Sequence, residues 1–502
     1  MKRWPPEVKE TPSRFRTPIS KYRIIRNDRC NNCGECVKLC PYGVHEFVGK
    51  KKKVRSPREY RCIGFSCKKT DHYCIEKCPE DALTLIENPT VSTIGDYRWT
   101  ADLLLSTWYQ AETGQVPEGL EYKVGNSGGG FDRLRFRFEI EEKNAQPLPP
   151  EEDISTSIDL NRRNDGRPQV TISVPWYGGG MSFGAISLTV ILARARASMA
   201  WDTFTCTGEG GYPDELIPYK DYVITQIATG LFGVKEETIK RARIVEFKYA
   251  QGAKPGLGGH LLGDKVTPAV ARMRQSVPGM SLFSPFPFHS VYSVEDHKKH
   301  IDWIKEVNPE ALISVKVSTP VDVDMVAVGS YYAGAHIIHL DGGYGGTGAA
   351  PDIAKKNIAM PLELAIPKVH RFLIEEGIRD EVVVIASGGI RTAYDIAKAI
   401  ALGADGVVTG TSELVALECL RCTHCERFKG CPRGIATTDP KLSAMVDLEW
   451  ATQRLINLFH AWYLQLIDIL RRLGMRSITE LVGRTDCLVY LEELHKEAMG
   501  NE

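Results

Sequence analysis

An eightfold alternation of short apolar runs with longer helical ones is the strongest constraint on how this chain folds. The candidate strands occupy residues 170–174, 202–205, 223–227, 244–249, 312–317, 336–340, 382–386 and 406–409. Runs of helical periodicity, such as 188–199, 235–241, 294–307 and 392–402, lie between them. Near-continuously apolar strands separated by helices predict a parallel sheet covered on both faces. Eight such units predict an α/β fold, a closed (β/α)8 TIM barrel whose working residues sit at the C-terminal ends of the strands. The barrel is expected over 169–440, with a C-terminal helical extension packed on it over 441–502.

The first 85 residues carry a different signature. One cysteine set reads Cys30-x2-Cys33-x2-Cys36-x3-Cys40-Pro41, and a second reads Cys62-x4-Cys67-x6-Cys74-x3-Cys78-Pro79. Closely spaced thiolates closing on Cys-Pro form the ligand run of a bacterial [4Fe–4S] ferredoxin, in which the fourth cysteine serves the neighbouring cluster. The expected wiring is therefore crossed: Cys30, Cys33, Cys36 and Cys78 around one cluster, Cys62, Cys67, Cys74 and Cys40 around the other. Structural zinc is the competing use of soft thiolates, but zinc sites pair two short knuckles, and three cysteines in seven residues fit a cubane better. A small α+β ferredoxin-like domain with two [4Fe–4S] clusters is expected over 1–85. The connecting region, 86–168, holds a glycine-rich stretch at 124–130 and a proline- and acid-rich linker at 146–152.

Charge excludes some function classes. Lysine plus arginine and aspartate plus glutamate stand at 63 each, so no global field favours nucleic acid or an anionic membrane. No basic–aromatic array marks a nucleic-acid surface. Lys50-Lys51-Lys52-Lys53 is the one dense basic run, a solvated hairpin loop or a docking point for an acidic partner. The N-terminus leads into no apolar core of a signal peptide. The most apolar stretch, 455–473, is interrupted by Asn457, His460, Gln465 and Asp468 on one helical face, which predicts an amphipathic packing helix and no membrane span. Twelve of fourteen cysteines lie in cluster-like sets, so a reducing cytoplasm is expected.

The turns after strands seven and eight, Ser387-Gly388-Gly389 and Thr409-Gly410-Thr411, stand where barrels commonly bind phosphate. Glycines let backbone N–H groups approach the anion, and a helix N-terminus adds favourable charge. In a chain that already bears electron-transfer cysteines, the phosphate expected is that of a flavin, FMN. No Gly-x-Gly-x-x-Gly opens a βαβ unit, so electrons must come from a separate donor, a ferredoxin or an NAD(P)H-oxidising subunit.

Several longer motifs carry a resemblance. Gly180-Met181-Ser182-Phe183-Gly184-Ala185-Ile186-Ser187, Thr207-Gly208-Glu209-Gly210-Gly211, Ala250-Gln251-Gly252-Ala253-Lys254-Pro255-Gly256 and Cys431-Pro432-Arg433-Gly434-Ile435-Ala436-Thr437 resemble the synthase domain of glutamate synthase. The likeness continues through Tyr292-Ser293-Val294-Glu295-Asp296, Gly345-Gly346-Thr347-Gly348-Ala349 and Glu480-Leu481-Val482-Gly483-Arg484-Thr485-Asp486, covering roughly 170–490. The resemblance implies an FMN barrel that reduces 2-iminoglutarate, formed from 2-oxoglutarate and ammonia, to glutamate. It implies that Met181, Ser182 and Ala185 line the flavin, with Gln251 beside it. Glu209 and Lys254 would face the substrate, and Lys316 would place positive charge near the flavin. Lys248, which like Lys316 ends an apolar strand, belongs to the same active face. The family holds a [3Fe–4S] cluster on three cysteines just past the flavin phosphate site. Here Cys419, Cys425 and Cys431 match with one extra residue, while Cys422 between them leaves [4Fe–4S] and [3Fe–4S] both open.

The chain departs from the family in places. The likeness is to the short, archaeal-type synthases, in which the family's N-terminal glutaminase domain is expected on a separate chain, so glutamine use would need a separate glutaminase subunit. Leu231 stands where the family has arginine, and Phe288-His289-Ser290 replaces paired histidines and an aspartate. His339-Leu340-Asp341-Gly342-Gly343-Tyr344-Gly345-Gly346 is also altered around the glycine loop. At strand ends these changes are expected to touch substrate. They keep open a related FMN and iron–sulfur enzyme acting on another imine, amine or keto acid, such as an N-methylglutamate synthase, and an electron-relay subunit without its own substrate.

Overall fold

Eight parallel strands close on themselves in a computed structural model of the chain, which describes residues 4–16, 18–50, 52–117, 130–138, 147–284, 288, 290–346, 350–426 and 430–491. They are β1 (Trp176–Gly178), β2 (Thr205–Cys206), β3 (Val223–Ala228), β4 (Ile244–Lys248), β5 (Leu312–Ser318), β6 (Ile337–Asp341), β7 (Val383–Ser387) and β8 (Gly406–Thr409). Each pairs in parallel with the next from β2 to β8, and β8 pairs with β1. The Gly178 N–H donating to the Phe204 carbonyl at 2.8 Å and a Gly180–Cys206 bridge close the ring.

Strand one is not where the apolar pattern put it. Thr171–Ile172 pairs antiparallel with Ile158–Asp159 instead, and the barrel begins at Trp176. Val170, Ile172 and Val174 are buried all the same, which is why apolar content alone could not separate a core-covering hairpin from a barrel strand. Strand two also starts later than expected, at Thr205, because Asp202 takes a left-handed turn with φ 47°.

The helices follow from local chemistry. Leu188–Ala200 starts where Ser187 accepts a hydrogen bond from the Val190 N–H, and Ala393–Ala401 starts on a capping box between Thr392 and Asp395. A buried ion pair, Arg194 with Glu413 at 2.5 Å, joins the first of these to the segment after β8, and Arg194 also donates to the Gly179 carbonyl. The end of β1 is thereby fixed against the end of β8.

The long helix Leu448–Arg472 packs on Leu188–Ala200 and on Ala101–Thr113 of the connecting region. Its polar residues do not form a solvent face. Asn457 is fully buried and donates to the carbonyls of Lys9, Ala111 and Glu112, while His460 and Gln465 bond Gly114 and Gln110. Those three are docking contacts; of the four interrupting residues, Asp468 faces outward. No helix among the described residues is long and apolar enough to cross a membrane.

The connecting region does more than link. Its strand Leu134–Phe136 pairs antiparallel with Leu488–Tyr490 of the C-terminal extension. Its Arg98 reaches the carbonyls of Gly345 and Lys355, and Asp132 forms an ion pair with Arg391 of the barrel. The glycine-rich stretch lies outside the described residues apart from Gly130. In the N-terminal region Tyr22–Arg26 pairs with Leu83–Glu87, and Phe47–Val48 pairs with Lys53–Val54, so the basic run is a hairpin turn, with Lys51 outside the described residues.

Candidate functional site

Period-two alternation decides what the strand ends present. Along β4, β5, β6 and β7, residues 246 and 248, 314 and 316, 339 and 341, and 387 point into the barrel, while Val245, Phe247, Val315, Leu340 and Ala386 pack outward. The interior at the C-terminal end is therefore polar. Above it opens a cleft of about 260 Å³.

All thirteen residues expected in catalysis or cofactor binding line this one cleft: Met181, Ser182, Ala185, Glu209, Lys248, Gln251, Lys254, Lys316, Ser387, Gly388, Gly389, Gly410 and Thr411. Sequence reasoning missed Gln226, His260, Arg274 and Trp99, which line it too, as does Asp341 of the altered stretch at the end of β6. A polar residue inside an otherwise apolar strand was the available signal for Gln226. Arg274 had none, because it reaches the cleft from the short helix Pro268–Arg274 in a loop excursion after β4.

Two tiers of charge fill the cleft. In the upper tier Lys248 Nζ sits 2.9 Å from Glu209 Oε2. Burial pushes the Glu209 carboxyl up, but Lys248, Lys254 and Arg274 outweigh it and hold it below the ordinary range. Lys254 is buried, with Nζ 3.3 Å from His260 Nδ1. Arg274, 5% exposed, donates to Ser182 Oγ at 2.9 Å and the Phe183 carbonyl at 3.1 Å, while its buried Nε has no hydrogen-bond partner among the described residues. Burial lowers the Arg274 guanidinium to about 10 against the opposing pull of Glu209.

The lower tier is a buried chain of hydrogen bonds. Gln226 Nε2 and Ser314 Oγ donate to Glu246 at 2.7 and 3.0 Å. His339 Nδ1 lies 2.9 Å from Glu246 Oε2, and its Nε2 lies 2.7 Å from Ser387 Oγ. Ser387 spends its one proton on Asp341 Oδ1 at 2.6 Å, and Asp341 Oδ2 faces Lys316 Nζ at 3.2 Å. Donors and acceptors thus balance along a chain that runs from Glu246 through His339 and Ser387 to Asp341 and Lys316.

This balance has a pH consequence. Burial pushes the Glu246 carboxyl up, but His339, Lys316 and Gln226 overcome it and bring it down to about 2. A carboxyl depressed in the folded state adds stability above its unfolded value, near 4.3, and loses it as pH falls toward 2. Thermal melts between about pH 5 and pH 3 are expected to fall steeply for the native protein and less steeply for Glu246→Gln. Parallel slopes would show that Glu246 is not held ionised.

Glycine is required where loops meet above the cleft. A Cβ on Gly252 would stand 2.0 Å from the Gly342 carbonyl oxygen, and one on Gly388, at φ 104°, would stand 2.6 Å from it. The loops after β4, β6 and β7 thus meet backbone to backbone. Gly388, Gly389, Gly410 and Thr411 line the same cleft, and space beside Gly410 is open. The open glycine backbone at Gly410, next to the Thr411 hydroxyl, fits a phosphate.

Of the departures expected to touch substrate, the altered stretch at the end of β6 reaches the cleft, where Asp341, Tyr344, Gly345 and Gly346 line it, whereas Leu231 and Phe288 do not. Leu231, half exposed at φ 55°, lines an outer groove with Val234, Lys299, His300 and Trp303. Phe288 is buried against Tyr249, ring centroids 5.0 Å apart. Side chains on the outer surface of the strands meet helices and not the interior, so their loss or gain alters packing. His289 and residues 347–349 of the glycine loop lie outside the described residues.

The cysteines gather as their spacing asked. Cys30, Cys33, Cys36 and Cys78 line one small cavity, and Cys40, Cys62, Cys67 and Cys74 lie within electrostatic reach of one another. Burial pushes the Cys62 and Cys74 thiols up to about 12, so they become thiolates only beside a compensating positive charge, such as iron. The third set, around Cys419, abuts the cleft: Cys425 lines it. Cys206 and Cys487 are buried apart from these sets. None of the fourteen cysteines is disulfide-bonded.

Residues 132–476 match the family described as the conserved region in glutamate synthase, and residues 23–44 match the 4Fe-4S binding domain. The chain belongs to the glutamate synthase family. The archaeal-type glutamate synthase [NADPH] of Thermotoga maritima is 37% identical over 96% of this chain and 97% of its own. The archaeal glutamate synthase [NADPH] of Methanocaldococcus jannaschii is 35% identical over 96% and 97%. The glutamate synthase [NADPH] large chain of Azospirillum brasilense is 38% identical over 62% of this chain but 21% of its own length. Membership of the glutamate synthase family thus extends, through the shorter relatives, over both the cysteine-rich region and the barrel.

Proposed function

We propose that this chain is the synthase subunit of a glutamate synthase, converting 2-oxoglutarate and ammonia to glutamate through 2-iminoglutarate. The observation that carries this reading is the cleft itself, which brings Lys254, Lys316 and a buried Arg274 with an unpartnered Nε to the mouth of a barrel beside a cysteine set. A dicarboxylic keto acid asks for that cation density, and Leu231 and Phe288 lie outside the cleft, which supports retention of 2-oxoglutarate.

FMN fits the same cleft, with Gly388, Gly389, Gly410 and Thr411 holding the phosphate and Met181, Ser182, Ala185 and Gln251 around the ring system. When bound, it would take single electrons from iron–sulfur clusters and deliver a hydride to the closed-shell imine. Arg274 and Lys254 hold the substrate carboxylates, and Trp99 helps exclude water from above. Lys316, kept charged by Asp341 and Glu246, supplies a fixed cation where negative charge develops. Glu209 orients Lys248 through their ion pair.

The three cysteine sets hold the clusters that feed this site from a separate ferredoxin or NAD(P)H-oxidising subunit. Ammonia from glutamine would come from a separate glutaminase. The test is turnover of the anaerobically purified holoprotein with reduced methyl viologen, 2-oxoglutarate and 15N-ammonium. Labelled glutamate is expected, with far lower turnover of pyruvate, which lacks the second carboxylate. Equal use of pyruvate, or no amino acid from any keto acid, would overturn the reading.

A further inference from the structure

Cys422 was the one cysteine of the third set without a settled role. Its backbone supplies one. Arg421 and Thr423, on either side of it, both adopt left-handed conformations, at φ 59° and φ 60°. Positive φ is uncommon for any non-glycine residue and an outlier for a β-branched one such as Thr423. The same bracket surrounds Cys33, where Asn32 has φ 63° and Gly34 has φ 83°. In both places the next cysteine follows at once on a helical turn: Cys36 in Glu35–Leu39 and Cys425 in His424–Glu426. In both, the remote fourth cysteine precedes a proline, Cys78-Pro79 and Cys431-Pro432.

The first loop, Cys30 to Cys36, wraps a cavity that Cys78 completes. The second wraps in the same manner. Cys425 lies within electrostatic reach of Cys422 and Cys431, and Cys419 within reach of Cys425 and Cys431. Arg433 interacts with Cys419, Cys422 and Cys431 together. The strained loop is clamped from outside, since Arg421 forms an ion pair with Asp96 at 2.7 Å and the Gly95 N–H donates to the Leu420 carbonyl. A loop needed only to carry Cys419 and Cys425 would gain nothing from holding arginine and threonine in this conformation around the cysteine between them. Turning that cysteine toward its neighbours is what the bracket does at Cys33.

We propose that Cys422 is an iron ligand, and that the barrel cluster is a four-iron cubane held by Cys419, Cys422, Cys425 and Cys431. This rests on the reading that the cysteine sets hold iron–sulfur clusters. It changes the metal centre beside the cleft from a three-thiolate, three-iron cluster to a complete cubane.

The test compares anaerobically purified wild-type protein with Cys422→Ala and Cys431→Ala, by iron content and low-temperature EPR after mild oxidation. Oxidised cubanes are diamagnetic, so the wild type is expected to be silent. Cys422→Ala is expected to lose one iron per chain and to show the near-isotropic signal of an oxidised three-iron cluster at about one spin per chain. A wild-type protein that itself shows that signal stoichiometrically, even after incubation with ferrous iron and sulfide, would overturn the proposal whether or not the variant folds. If Cys431→Ala retains the wild-type iron content, the barrel holds no cluster, and the underlying reading fails with it.

Discussion

Lys316→Met is expected to lower both the melting temperature and the rate of glutamate formation, and a second substitution separates the two effects. Lys316 is the cation opposite Asp341 at 3.2 Å in the floor of the cleft. Burial pulls its ammonium down, but Asp341 and Glu246 more than offset this and keep it charged. Removing it leaves the buried Asp341 carboxylate without its ion-pair partner. Breaking a buried pair from one side costs about 3–5 kcal/mol. For a barrel of this size that corresponds to a melting temperature lower by roughly 6–20 °C. A preorganised charge at the reacting centre is worth about 100- to 1,000-fold in kcat. The double variant Lys316→Met with Asp341→Asn removes both members, so it should regain most of the melting temperature and none of the rate. Recovery of the rate in the double variant would show that the cation serves the fold alone.

Arg274→Leu should act on binding instead. The guanidinium is buried, is already turned toward the cleft by Ser182 and the Phe183 carbonyl, and has an Nε with no partner. In the proposed function a carboxylate of the substrate supplies that partner. Truncating one side of a buried, hydrogen-bonded charge pair costs about 2–5 kcal/mol, so the KM for 2-oxoglutarate should rise roughly 30- to 4,000-fold. The rate at saturation should change much less, because the contact is made equally in ground and transition states. The KM for ammonium should stay near the native value. Loss of FMN from the purified variant with an unchanged KM would assign Arg274 to the cofactor instead of the keto acid.

How far the sequence could be read follows from what each pattern encodes. The strand–helix alternation determined the barrel because apolar strands with helices on both faces have few other ways to pack. It misplaced β1 because the run at 170–174 is as apolar as a barrel strand yet pairs antiparallel with Ile158–Asp159. The crossed arrangement of the first eight thiols was legible because cysteine spacing is itself geometry. The floor of the cleft was not. Glu246, Ser314 and His339 look like interruptions in apolar strands, and only the register that aligns Glu246 with Ser314 and Lys316 with His339 turns them into one network. Two of the suspected substrate departures failed for the same reason, while the altered stretch at the end of β6 does line the cleft. Leu231 lies in the turn after β3 and Phe288 packs outside β4, so nearness to a strand end in sequence did not place either in the interior.

The central claim is that this cleft brings a reducible flavin and a keto-acid site together. Its most direct test is a single turnover. The holoprotein, purified anaerobically with its native cofactors and fully reduced, is mixed with 2-oxoglutarate and ammonium while flavin absorbance is followed and glutamate is assayed. The prediction is rapid flavin reoxidation that needs both substrates, with glutamate formed in proportion to the flavin reoxidised. A stoichiometric, reducible flavin that stays reduced when both are added would contradict it.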